Sequence, residues 1–188
     1  MTHLAHHRTL LSLSLVAIAL TSTASLPGCR QIIKSAARGS SSSSTTKTNS
    51  SGDSVTSFSK NDADMNSAIA KARQTVDTFI QRLNNPRRGD HVSVKVAMTD
   101  GSEVEHFWMS DVSFDGSEFR GKLNNDPMLV KNVNVGDDLH CPKAEISDWM
   151  IIGSDRVLVG GETIRVMRNR MSQAERAKFD REMGIKIN

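Results

Sequence analysis

Val92-Ser93-Val94-Lys95-Val96-Ala97-Met98, the pair Asp100-Gly101, and Glu103-Val104-Glu105-His106-Phe107-Trp108-Met109 together decide the fold. Val92, Val94, Val96 and Met98 alternate with Ser93, Lys95 and Ala97, the two-residue period of a strand with one face in a core. Asp-Gly is hairpin chemistry, because the turn needs a left-handed backbone that glycine adopts without strain. The return strand then sets Val104, His106 and Trp108 against Glu105, Phe107 and Met109.

Farther along, Phe114, Asp115-Gly116, Phe119, Gly121 and Leu123 read as a second hairpin, and Val133 to Asp137 as a turn into a strand near Leu139. Arg156 to Val159, a break at Gly160-Gly161, and Thr163 to Met167 read as a last pair of strands. Upstream, Met65, Ile69, Ala72, Val76, Phe79, Ile80 and Leu83 recur at helical spacing. Asn61 or Asp62 can cap that helix, and Asn84-Asn85-Pro86 ends it. Downstream, Ser172 and Glu175 form a capping box that opens a helix through Phe179 to Met183, with Gly184 as its stop. The pattern predicts an α+β domain over residues 61–188. In it a long N-terminal amphipathic helix packs on an antiparallel sheet of five or six strands, with a short C-terminal helix.

The residues before 61 are of another kind. Leu10 to Leu20 is an apolar run behind a single Arg8, too short to span a bilayer before Ser, Thr and Pro interrupt it. Leu26-Pro27-Gly28-Cys29 follows and resembles a bacterial lipobox, which predicts a signal peptide over 1–28 and lipid, palmitate included, on Cys29. The alternative is a secreted chain cut at an upstream small residue such as Ala24. From 29 to 60 the Ser/Thr-rich run Gly39 to Thr46 offers nothing to bury and predicts a flexible tether, with a mean reach of about 30 Å. If Cys29 takes lipid, Cys141 is left a lone thiol before Pro142, with a small buried role.

Charge divides at the same place. Arg30, Lys34, Arg38, Lys47 and Lys60 stand against Asp53 in the tether, a net of +4 suited to anionic headgroups. From Asp62 onward 18 Lys and Arg face 20 Asp and Glu, a net of −2. Mixed charge without a basic, aromatic-interleaved face argues against nucleic acid as a partner.

Five islands stand in order along the domain: Glu105-His106-Phe107-Trp108; Phe119-Arg120-Gly121-Lys122-Leu123 with Asn125 and Pro127; Gly136-Asp137; Ile146-Ser147-Asp148-Trp149-Met150; and Gly160-Gly161-Glu162-Thr163-Ile164-Arg165. The ordered set resembles the YegJ-like family of bacterial domains of unknown function, over roughly Asp62 to Gly184. The resemblance implies a small α+β domain, often exported or attached to other modules, and carries no established reaction.

The residues themselves give a candidate surface of His106, Trp108, Asp148, Trp149 and Arg165. His106 is a general base or metal ligand on one reading, and a histidine bonded within the sheet on the plainer one. Trp108 and Trp149, the two tryptophans of a chain without Tyr, either line a groove or anchor a core. Asp148 either caps or turns the chain, or presents an acid at a pocket rim. Gly160-Gly161 lacks the Lys and longer glycine pattern of a phosphate loop and reads as a tight hairpin, which makes Arg165 a strand residue. His91, His106 and His140 lack zinc-type spacing, and His140 and Cys141, as strand neighbours, point to opposite faces.

No catalytic residue, metal or cofactor is expected. The expected function is a non-catalytic binding module, lipid-anchored in the cell envelope on its periplasmic or outer side, with an envelope protein or polymer as partner. The alternative is a hydrolase or transferase using His106 with Asp148 or Glu105 as acid and base.

Overall fold

Residues 17–21, 44–48, 54–59 and 61–188 are described in the computed structural model of this chain. The first three stretches are strands: β1 (Ala17–Thr21), β2 (Ser44–Thr48) and β3 (Ser54–Ser59). Cys29 and the rest of the expected leader and tether lie outside the described residues. β2 and β3 fall within the stretch expected as tether; Val55, Thr56 and Phe58 are residue types that favour extended backbone.

The domain opens with α1 (Ala63–Asn84), capped by Asp62, whose carboxylate accepts from the Met65 N–H at 3.1 Å. Met65, Ala68, Ala72, Val76 and Phe79 are its buried residues, the stripe the spacing requires. β4 (His91–Asp100) and β5 (Glu103–Phe114) follow as the expected hairpin. β6 (Glu118–Leu123) and β7 (Asp138–Pro142) extend the sheet beyond β5, whose pairing with β6 shifts register between Ser110 and Ser113. β8 (Asp148–Ile152) returns to the other side of β4, and β9 (Leu158–Gly160) pairs with β8. The six strands run β7-β6-β5-β4-β8-β9, all antiparallel.

The expected strand at Thr163–Met167 is instead a helix, α2 (Glu162–Arg170). Thr163, Ile164 and Met167 are its buried residues, at helical three- and four-residue steps, so the β-branched composition is overridden by packing. Gly160-Gly161 is therefore not a hairpin. Both glycines have positive φ, 73° and 67°, and turn β9 into the helix. The capping box holds, and α3 (Gln173–Met183) ends at left-handed Gly184. Two C-terminal helices thus stand where one was expected.

Both faces of the sheet are covered. Val94, Val96, Phe107, Met109, Trp149 and Ile151 join Ala72, Val76 and Phe79 of α1 in one core. On the opposite face Trp108, Met150 and Ile152 join Leu158, Ile164, Met183 and Ile185. Met65 and Met167 link α1 with α2. No helix among the described residues is long and apolar enough to cross a membrane.

Candidate functional site

On the α2 face, Lys95 of β4 lies opposite Trp108 of β5 and Asp148 of β8. A lysine at the centre of three strands has no route to water, and Lys95 is 1% exposed. Its ammonium lies 5.2 Å from the Trp108 ring centroid and donates to Thr163 Oγ1 at 3.3 Å. Burial pulls the amine down to about 8, against the raising influence of the Asp148 charge.

Asp148 is fully buried and saturated with donors. It accepts from the Thr163 N–H at 2.8 Å, Thr163 Oγ1 at 2.7 Å, the Glu162 N–H at 3.2 Å and its neighbour Trp149 N–H at 2.8 Å. Gly161, the N-cap residue, has no side chain to cap α2, so the carboxylate of a neighbouring strand does it. Burial raises the Asp148 carboxyl, and the Thr163 bonds and the Lys95 charge pull the other way. Lys95, Thr163 and Asp148 form one buried relay, with the Thr163 hydroxyl accepting from the amine and donating to the acid.

His106 lies beside this group, its Nδ1 2.7 Å from Ser147 Oγ, while the Ser147 N–H donates to the Lys95 carbonyl at 2.7 Å. Burial, with the charges of Lys95 and Arg73, drives the imidazole down to about 3. The ring is neutral at physiological pH and a weak base. Glu105 follows the strand alternation to the other face. It accepts from the N–H groups of Met128 (3.0 Å), Leu129 (2.8 Å) and Val130 (3.3 Å), which pins the loop before β7. Each of the two carboxylates considered as acid partners of His106 thus holds backbone, and His106 bonds Ser147 rather than either.

Trp149 is a core residue on the α1 face. Its Nε1–H donates to the Ala72 carbonyl at 2.9 Å, and its ring lies 5.6 Å from Phe79. Trp108 is buried on the α2 face, its own N–H donating to Asn125 Oδ1. Arg165 grips the Gly160 and Leu158 carbonyls from α2, which makes it a clasp across the glycine turn and not a strand residue. It also lines an open cleft of about 610 Å³ between α1 and α2, with Lys71, Glu162 and Arg170. His106, Trp108 and Asp148 come together with Lys95; Trp149 and Arg165 do not join them.

Sequence reasoning missed Lys95, Ser147 and Thr163. The one available signal was a lysine in the middle of a valine-rich strand. Cys141 is buried and free, its thiol pushed up to about 11 by burial. Among the described residues no group of three His, Cys, Asp or Glu is arranged to hold a metal.

A two-sided α+β domain whose interior polar residues hold its own backbone is the class this geometry defines. Residues 62–187 match the bacterial family described as "Uncharacterized protein conserved in bacteria (DUF2314)", and the chain belongs to that family. It is 40% identical over 100 residues to "Uncharacterized protein YegJ" of Escherichia coli K12, which covers 53% of this chain and 64% of that one. It is 37% identical over 144 residues to the Neisseria meningitidis protein named "Putative ankyrin repeat protein NMB1133/NMB1171", over 71% of this chain and 56% of that one. The chain therefore spans less than two thirds of either relative. No solved structure matches it.

Proposed function

We propose that this protein is an exported lipoprotein, held by lipid on Cys29 and carrying a DUF2314 domain that acts as a non-catalytic binding module on an envelope protein or polymer. One observation supports the binding reading above the enzymatic one. The three groups weighed for acid–base chemistry are engaged inside the fold: Glu105 with the loop at 128–130, Asp148 with the start of α2, and neutral His106 with Ser147. Such a domain offers recognition through its surface. The anchor is supported by Leu26-Pro27-Gly28-Cys29 behind an export-type apolar run.

Labelling cells with a clickable fatty acid tests the anchor. Label on the wild-type chain and none on Cys29→Ala is the expected result, and an unlabelled wild type whose N-terminus maps upstream of Cys29 overturns it. Capture from envelope extract on the immobilised protein tests the module. A partner lost to surface substitutions but retained by His106→Ala supports binding. Turnover of an envelope component that stops in His106→Ala, with the fold intact, would restore the hydrolase or transferase reading.

A further inference from the structure

We draw no further inference here: the strongest candidate, the open cleft between α1 and α2, has its cations answered within the fold, Lys71 by Glu162, Arg170 by Asp62 and Asp64, and Arg165 by the carbonyls of Leu158 and Gly160, and nothing in the structure shows what covers it.

Discussion

On the α1 face of the sheet, Phe79 lies 5.8 Å from Phe119 and 5.6 Å from Trp149, over Val94, Phe107 and Met109. One residue further along the same strands, on the α2 face, lie Lys95, Trp108 and Asp148. The first interior is held by area and shape. The second is held by direction, because a carboxylate, a hydroxyl and an ammonium are satisfied only in particular geometries. The two layers are placed by different forces. α1 lays an apolar stripe on an apolar surface, whereas α2 starts where Asp148 receives the Glu162 and Thr163 amides. The mixed face gives up hydrophobic stabilisation and gains a fixed position for the helix.

Breaking the apolar face should have the largest effect. Trp149→Ala removes the ring between α1 and Gly160 together with its Nε1–H bond to the Ala72 carbonyl, and it should cost about 3–5 kcal/mol. Gly160 underlines how closely that ring is packed, since a Cβ there would lie 2.6 Å from it. A near-neutral shift in denaturant midpoint would mean that Trp149 lines a groove, and the description of this face would fail.

The polar face should break nearly as hard at Asp148. Asp148→Ala strands the Thr163 and Glu162 amides and leaves Lys95 buried without its counter-charge, a loss of about 3 kcal/mol. Amide exchange in the first turn of α2 should rise more than in α1. Equal loosening of both helices would remove the claim that this face positions α2.

The two faces were not equally legible in the sequence. The α1 face follows from apolar periodicity alone: Ala72, Val76 and Phe79 over the alternating strands, with the Asp100-Gly101 turn between β4 and β5. The α2 face was hidden for physical reasons. Thr163, Ile164 and Val166 carry strand-type side chains, and what overrides them is the packing of Ile164 and Met167 together with a carboxylate 15 residues from Thr163 in sequence that caps the helix. Lys95 reads as a solvated residue on an alternating strand, and only coverage by α2 makes it interior. Asp148 was rightly considered as a residue that turns or caps, although the end it caps was not visible. Glu105 beside His106 suggested an acid–base pair, until strand alternation put them on opposite faces.

His106 probes the margin between the two regimes. His106→Ala leaves a cavity and removes the partner of the buried Ser147 hydroxyl, and it should cost about 1–3 kcal/mol. A stability gain, with loss of partner or substrate binding, would make the His106 end of the polar face a functional surface held under strain.

The smallest effect is the most specific to the mixed face, and it is read in pH. Lys95 has its amine lowered by burial from 10.5 to about 8. Between those values the unfolded chain binds a proton that the folded chain does not, so stability rises with pH across the window; below about 8 the folded state carries the full cost of the buried charge. Cys141 acts in the opposite sense. Its thiol is raised from 9.0 to about 11, so the folded chain keeps a proton that the unfolded chain has lost, and stability falls between those values. Cys141→Ala removes the opposing influence, and the chain has no Tyr to titrate in the same range. In that background, denaturant unfolding at pH 8 and pH 9.5 should show a gain of about 1 kcal/mol, within the limit of about 1.4 kcal/mol per pH unit for one proton. Adding Lys95→Met should abolish the rise, because the group that releases the proton is gone. The same slope with Met at 95 would assign it to another group and leave the α2 face as apolar, in its energetics, as the α1 face.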